Sequence, residues 1–213
     1  MAKRDEISAT VIKRLPRYYR FIGELIRQGT VRISSSDLAE RMSLTASQIR
    51  QDLNCFGGFG QQGYGYNLPE LHAHIGKILG VDEHRKAVLI GAGNLGKAIA
   101  MHMDFAGHGM ELCGIFDSAP DKIGTKVGGM TISSVDSLED FLHEHSPIIA
   151  ILCIPKAAAE ELALMLVQNG VKAFWNFSHY DFGNISTKYN DIVIENVHLG
   201  DSLMLISYGL TNN

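Results

Sequence analysis

The sequence predicts an α/β protein, in which an amino-terminal winged-helix (helix-turn-helix) domain precedes a doubly wound parallel sheet and a carboxy-terminal apolar helix. Residues 1–80 have helical periodicity and carry 11 basic against 7 acidic residues, whereas residues 81–213 carry 8 against 16. In the second part, apolar strands alternate with helical segments, as they do around parallel sheets. We therefore predict domains at residues 1–80 and 85–198, followed by a terminal segment at 199–213.

The composition limits the class of protein. The three cysteines, Cys55, Cys113 and Cys153, form no C-x-x-C pair, which argues against a disulfide scaffold and a zinc finger, and we expect no metal. No apolar run near the start approaches the ~18 residues of a membrane span, and no signal-like block follows Met1. We expect a cytoplasmic protein without membrane contact. The basic charge of its front half suggests a polyanion partner, and a solvated helical surface explains the charge equally well.

Two helices are predicted first. Apolar residues at spacings of three and four indicate an amphipathic helix over residues 8–28, closed by Gly29. Pro16 lies inside this pattern, so the helix is expected to kink there or to begin late. A second helix is predicted at Asp37–Met42, with Ser36 as its N-cap.

A third helix, at residues 46–53, completes a helix-turn-helix. Thr45 can cap it, and Ile49 and Leu53 share the face that would pack inward. The polar side chains that point elsewhere are those of Ser47, Arg50 and Gln51. A recognition helix exposes such donors to base edges and phosphates, so the pattern favours binding to double-stranded DNA. The alternative is a plain packing unit of three helices.

The next segment is rich in glycine. Residues 56–66 hold five glycines with aromatic residues between them, which predicts a β-hairpin wing rather than a flexible linker. Phe59, Tyr64 and Tyr66 are expected to pin the hairpin to the helices. An amphipathic helix at Leu68–Leu79 would cover this unit.

The most informative stretch is Ala87–Ala98, which has G-x-G-x-x-G spacing directly after an apolar strand. Gly91 allows a tight turn, Gly93 lets the backbone approach a pyrophosphate, and Gly96 permits close packing of helix on strand. The helix that follows is predicted to reach about Ala106, and the unpaired N–H groups at its start stabilise an anion. The loop predicts a dinucleotide site in a Rossmann-like domain.

An acidic residue narrows the choice of dinucleotide ligand. The strand at residues 111–117 ends in Asp117, which follows Gly96 by 21 residues. A carboxylate at that position is expected to bind ribose hydroxyls and to disfavour a phosphate there, which favours NAD over NADP. We therefore expect NADH and NAD+ as ligands.

The run Ile148–Ile154 predicts a buried parallel strand. Its end would line the cofactor cleft with Cys153, Ile154 and Pro155, although burial in the core explains the first two equally well. A helix at 157–169 and strands at 172–177 and 191–195 complete the predicted sheet.

The tail at Asp201–Leu210 is largely apolar. Such a helix must pack on its own domain or on another copy of the chain, and its terminal position makes exchange between subunits easy. We therefore expect a homodimer.

Motifs along nearly the whole chain resemble the Rex family of redox-sensing transcriptional repressors. They are Lys13–Arg20, Ile33–Ser35, Gln48–Leu53, Phe56–Gly60, Gly63–Tyr66, the glycine loop and Phe116–Asp117. The resemblance implies a homodimer that reads an inverted repeat of operator DNA and is released when NADH closes the subunits, with NAD+ competing for the site. It also implies that the terminal helix is domain-swapped.

Together, the residues and the resemblance give two sets of predicted site residues. For the cofactor they are Gly91, Ala92, Gly93, Asn94, Leu95, Gly96, His102, Asp117, Cys153, Ile154 and Pro155. For DNA they are Lys13, Arg14, Arg17, Ser47, Gln48, Arg50, Gln51, Gly60, Gln61 and Gln62.

The chain departs from the family pattern at several of these positions. Gln51, Gln61 and Gln62 stand where basic residues are common, which predicts fewer phosphate contacts and a flatter salt dependence. His102 replaces a tyrosine near the nicotinamide, and His198 replaces an aspartate before the terminal helix.

Two other functions remain open at this point. An NAD-dependent oxidoreductase would need a substrate domain and an acid–base pair, and neither stands out in the sequence, so we expect no enzyme activity. A CoA-binding or other nucleotide-binding module would use a similar glycine loop, but Asp117 argues against a phosphate on the adenosine ribose.

Overall fold

The fold is described by a computed structural model, which covers residues 7–57, 60–61 and 64–211. The chain divides into two compact units, residues 1–82 and residues 83–213. Among the described helices, none has both the length and the hydropathy needed to cross a bilayer.

The first unit is a winged helix. Its described elements are α1 (Ala9–Arg27), β1 (Arg32–Ile33), α2 (Ser35–Met42), α3 (Ala46–Asn54), β2 (Gly60–Gln61), β3 (Gly65–Asn67) and α4 (Leu68–Leu79). The strands form one antiparallel sheet in the order β1-β3-β2. The helix-turn-helix and the hairpin therefore form as the sequence predicts.

Helix α1 organises the core of this unit. It begins at Ala9 and runs through Pro16, so the expected late start is wrong. Leu15, Tyr18 and Ile22 are fully buried along one stripe and pack with apolar residues of α2, α3 and α4. This burial offsets the one backbone hydrogen bond that proline cannot donate.

The two short helices have well-defined starts. The Ser34 side-chain oxygen accepts the Asp37 backbone N–H, so Ser34 is the N-cap of α2 and the prediction of Ser36 is wrong. Thr45 caps α3 as predicted, because its side-chain oxygen accepts the Gln48 backbone N–H. Both caps satisfy amide groups that a helix start leaves unpaired.

Of the two predicted aromatic anchors that the structure describes, one holds the hairpin to the helices. Tyr66 is 5% exposed and belongs to the helical core. Tyr64 is 71% exposed, so its predicted anchoring role is wrong. Phe59 lies outside the described residues.

The second unit contains a seven-stranded sheet in the order β10-β9-β8-β4-β5-β7-β6. Its described elements are β4 (Arg85–Ile90), α5 (Asn94–His102), β5 (Met110–Asp117), β6 (Lys126–Val127), β7 (Met130–Ser134), α6 (Leu138–His145), β8 (Ile149–Leu152), α7 (Lys156–Gln168), β9 (Ala173–Asn176), α8 (Gly183–Lys188), β10 (Val193–Asn196) and α9 (Leu199–Thr211). The strands are parallel except β6. The predicted fold class is confirmed.

Helices pack on both faces of this sheet. Alternate residues of β4 belong to different cores: Val88 and Ile90 pack with α6 and α7, whereas Leu89 packs with Ile99 of α5. Strand β4 lies between β5 and β8, and the chain crosses from one side of the sheet to the other there. Ligands bind at such a switch point, beyond the carboxyl ends of the strands.

Some boundaries differ from the predictions. Helix α5 ends at His102 rather than Ala106, because Met103 is extended and a 3-10 turn follows at Ala106–His108. No bounds were predicted for β6, β7, α6 or α8.

Helix α9 has an unusual surface. None of its residues is buried, and its large apolar side chains are between 61% and 79% exposed from Leu203 onward. The predicted apolar terminal helix therefore forms, and its apolar surface faces solvent in a single chain.

Candidate functional site

Helix α3 presents polar side chains on one face. Ile49 and Leu53 are buried, while Ser47, Arg50 and Gln51 are exposed, as the periodicity predicts. Arg50 Nη1 donates to Ser35 Oγ at 2.9 Å across the helix-turn-helix. The exposed face can therefore offer hydrogen-bond donors to a nucleic acid.

The buried side of α3 is fixed by a carboxylate that the sequence analysis did not single out. Asp52 is fully buried and accepts hydrogen bonds from Arg14 Nε and Nη2, both at 2.7 Å. It also accepts from Tyr18 Oη at 2.8 Å and from Gln48 Nε2 at 3.1 Å. Burial alone would raise the pKa of Asp52, but these donors outweigh it, so the pKa lies below its usual value.

This network bears on two predicted DNA contacts. The Arg14 guanidinium forms a bidentate ion pair with Asp52, and the Gln48 side-chain amide donates a hydrogen bond to the same carboxylate. Arg14 thereby fixes α3 against α1, whereas the Gln48 bond lies within α3. Their contact with DNA stays a prediction.

The other predicted DNA residues have simpler surroundings. Arg17 Nη2 donates to the Met42 carbonyl oxygen at 2.5 Å, at the end of α2, and Lys13 is exposed. Gly60 and Gln61 lie in β2. Gln62 is outside the described residues.

The Asp52→Asn variant is expected to unfold more easily, by about 2 kcal/mol, because an amide of equal size cannot accept from all four donors. The folded pKa of Asp52 is lowered, so its stabilisation is present above the unfolded pKa and is lost as the pH falls through the folded pKa. The deficit of the variant should therefore be full at pH 7 and shrink toward pH 3.

Urea unfolding followed by circular dichroism at both pH values measures this difference. The control is Glu40→Gln, which removes an exposed carboxylate of the same unit. Equal stability of Asp52→Asn and the parent chain at pH 7 would contradict the role given to the network.

The glycine loop has the geometry of a phosphate-binding turn. Gly91 has φ +97°, and a β-carbon there would overlap the Cys153 carbonyl. A β-carbon on Gly96 would overlap the Gly91 carbonyl oxygen, whereas Gly93 faces open space. Gly93 is also the N-cap of α5 and provides no capping side chain, so the first amides of α5 are available to an anion.

Asp117 is held firmly at the end of β5. Its Oδ2 accepts from the Ala92 backbone N–H at 2.7 Å and from Lys122 Nζ at 3.1 Å, and its Oδ1 accepts from the Ala119 N–H at 2.8 Å. Burial raises the pKa of Asp117, but these donors outweigh it and lower the pKa overall. The carboxylate is therefore charged at neutral pH.

These groups border a cleft of about 740 Å³ at the carboxyl ends of β4, β5 and β8. Six predicted residues line it: Gly91, Gly93, Asp117, Cys153, Ile154 and Pro155. The sequence analysis missed several others, among them Lys122, Val135, Glu161, Leu162 and Met165. Most of the missed residues are apolar, as the wall of an adenine pocket would be.

The remaining predicted cofactor residues lie around the loop or away from it. Ala92 is buried and bonded to Asp117, and Asn94 and Leu95 are exposed in the first turn of α5. His102 is exposed at the far end of α5, about 12 Å from the loop by helix rise, and does not line the cleft.

The surroundings of Cys153, in the cleft, and of His198, before α9, limit what these two side chains can do. Burial raises the pKa of the Cys153 thiol to about 12, so this thiol is protonated and a poor nucleophile. His198, directly before α9, contacts His179 through their Nδ1 atoms at 2.6 Å, and both rings are exposed. Among the described residues, no group of three or more potential metal ligands comes together.

Two family models match the chain. One, described as "Putative DNA-binding protein N-terminus", matches residues 6–54, and the other, described as "CoA binding domain", matches residues 82–180. These matches cover the helix-turn-helix and most of the parallel sheet.

Curated relatives match nearly the whole chain. The redox-sensing transcriptional repressor Rex of Caldanaerobacter subterraneus subsp. tengcongensis is 50% identical over 210 residues, 99% of this chain and 92% of the relative. The Rex protein of Clostridium perfringens is 47% identical over 213 residues, 100% of this chain and 99% of the relative. The chain belongs to the Rex family.

Solved Rex-family structures agree with this fold. The crystal structure of RSP in complex with β-NAD+ and operator DNA has a TM-score of 0.88 and 48% identity, covering 97% of this chain and 93% of that one. The structure of RSP in complex with β-NADH has a TM-score of 0.86 and 46% identity, covering 97% and 95%.

Membership of the Rex family decides between the alternatives. The Rex relatives are named as transcriptional repressors and not as enzymes, so the oxidoreductase alternative is set aside. The match to the CoA-binding description is confined to residues 82–180, whereas the Rex relatives also match the winged helix.

Proposed function

We propose that this chain is a redox-sensing repressor, which binds operator DNA as a homodimer and leaves it when NADH binds. The observation that carries the proposal is the presence of two sites in one Rex-family chain: an exposed donor face on α3 and a cleft built on the glycine loop. A relative 48% identical to this chain was solved with both β-NAD+ and operator DNA. We also propose the cytoplasm as its location, because a transcriptional repressor must share a compartment with its operator DNA.

Recognition of DNA would depend on α3. Its exposed face carries Ser47, Arg50 and Gln51, and the Asp52 network fixes the angle at which this face is presented. Paired α3 helices of a dimer would enter two successive major grooves, so we expect the operator to be an inverted repeat.

The Arg50→Ala variant is expected to lose roughly tenfold in operator affinity, and less on scrambled DNA, since arginine commonly reads guanine edges. Fluorescence anisotropy on both duplexes measures this loss. Lys77→Ala removes the same charge from an exposed position on α4 and should change neither affinity. An equal loss on both duplexes would contradict base reading by Arg50.

Binding of the cofactor would depend on the cleft. The amides at the start of α5 would hold the pyrophosphate, and Asp117 Oδ1, which has room for one more donor, would accept a hydrogen bond from a ribose hydroxyl. No chemistry on the cofactor is needed, because a ligand shifts the protein toward the conformation that it binds more tightly. NADH would therefore favour the dimer geometry that cannot bind DNA.

Dimer formation would depend on α9. Its exposed leucines and methionine are an unfavourable surface for a single chain in water, and we propose that they pack on a second copy in a domain-swapped dimer. The sheet domain also has an apolar groove of about 400 Å³ at the amino ends of β8, β9 and β10, lined in part by Ile149, Trp175 and Val193. This groove is a suitable surface for such packing.

The proposed ligand class is tested by calorimetry with NADH, NAD+ and CoA on the purified chain. We expect NADH to bind at one molecule per chain, more tightly than NAD+, and to be recovered unchanged. Binding of CoA without binding of NADH would overturn the proposal and favour a CoA-binding module.

A further inference from the structure

A lysine in the cofactor cleft lies against the acidic residue that selects the ribose. Lys122 Nζ is 3.1 Å from Asp117 Oδ2, and the lysine side chain is 30% exposed at the cleft wall. We propose that Lys122 sets the selectivity between NADH and its 2′-phosphorylated counterpart NADPH, because it offsets the repulsion that Asp117 exerts on the 2′-phosphate. This inference deepens the proposed function and rests on binding of NADH in the same cleft.

The hydrogen-bond capacity of Asp117 is largely used within the protein. Oδ2 accepts from the Ala92 N–H and from Lys122, and Oδ1 accepts from the Ala119 N–H. A carboxylate oxygen has two lone pairs, so Oδ1 can accept one more donor and Oδ2 can accept none while Lys122 is in place. A ribose that engages both oxygens must therefore share the site with the Lys122 ammonium.

The position of Lys122 is set by the turn that follows β5. Its backbone N–H donates to the Ala119 carbonyl at 3.0 Å, and its carbonyl accepts from the Thr125 N–H at 3.0 Å and from Thr125 Oγ1 at 2.6 Å. These bonds hold the start of the side chain beside the cleft. The ammonium has three donors, of which Asp117 uses one.

The charges of the cleft determine which ribose it accepts. Asp117, Lys122 and Glu161 are the charged residues that line it, with a formal sum of −1, or −2 without Lys122. A 2′-phosphate brings close to two further negative charges at neutral pH. With Lys122 present, the phosphate meets a near-neutral Asp117–Lys122 pair and free ammonium donors, whereas without it the phosphate meets a lone carboxylate.

The test compares the NADPH-to-NADH ratio of dissociation constants in the parent chain and in Lys122→Met, measured by calorimetry at fixed salt. We expect the ratio to rise roughly tenfold in the variant, with a much smaller change in NADH affinity, because the lost charge acts on the phosphate. Lys122→Arg keeps the charge and should keep the ratio near that of the parent chain.

Lys126→Met is the matched control, since it removes the same charge from an exposed position four residues away. Its ratio should not change. An unchanged ratio in Lys122→Met, or an equal loss of affinity for NADPH and NADH, would overturn the inference. Lys122 would then have a structural role only. Failure of the parent chain to bind NADH would instead contradict the proposed function.

Discussion

Replacing Gly93 with valine is expected to abolish release by NADH while leaving operator binding intact. Gly93 has φ −74°, which any residue adopts, and a β-carbon there meets no atom within 4 Å. The side chain therefore fits the unliganded chain but fills the space that the pyrophosphate must enter, with a loss of NADH affinity on the order of a hundredfold or more.

Calorimetry with NADH and anisotropy with operator DNA measure the two effects separately. Gly183→Ala is the matched control, because Gly183 lies in α8 of the same unit and a β-carbon there makes only ordinary contacts. If NADH still released Gly93→Val from DNA, the glycine loop would not be the cofactor site.

Replacing Leu205 with glutamate is expected to convert the dimer to a monomer and to weaken operator binding by about a hundredfold, since each monomer reaches one half-site. Leu205 is 72% exposed in the single chain, so the substitution should leave the folded monomer undisturbed. In a dimer, it would place a charge in an apolar interface. Light scattering after size exclusion measures the mass.

Asn184→Glu adds the same charge at an exposed position of α8 in the same unit, outside α9, and should remain dimeric. A Leu205→Glu protein that keeps the mass of a dimer would show that α9 does not form the interface.

Local signals made several parts of the fold predictable. The periodicity of α3 assigned its buried and exposed sides correctly, because Ile49 and Leu53 are one helical turn apart. The glycine spacing identified the strand-to-helix turn, since Gly91 and Gly96 meet backbone atoms that leave no room for a side chain. Thr45 was identified as a cap because capping acts over three residues.

Contacts between distant parts of the chain were not predictable in this way. Asp52 meets Arg14 and Tyr18, which are 38 and 34 residues away in sequence, and no local pattern links them. Strand β7, Met130–Ser134, has one strongly apolar residue, Ile132, so its alternation is too weak to identify. The contact of Lys122 with Asp117 depends on the turn after β5, whose geometry no spacing in the sequence specifies.

NADH and operator DNA are expected to bind the same chain and to exclude one another. Fluorescence anisotropy of the protein on an AT-rich inverted-repeat duplex, titrated separately with NADH and NAD+ at fixed salt, measures this exclusion. We expect NADH to release the duplex at concentrations where NAD+ has little effect. Tight binding of NADH by a protein that does not bind the duplex, or that stays on it, would contradict the claim.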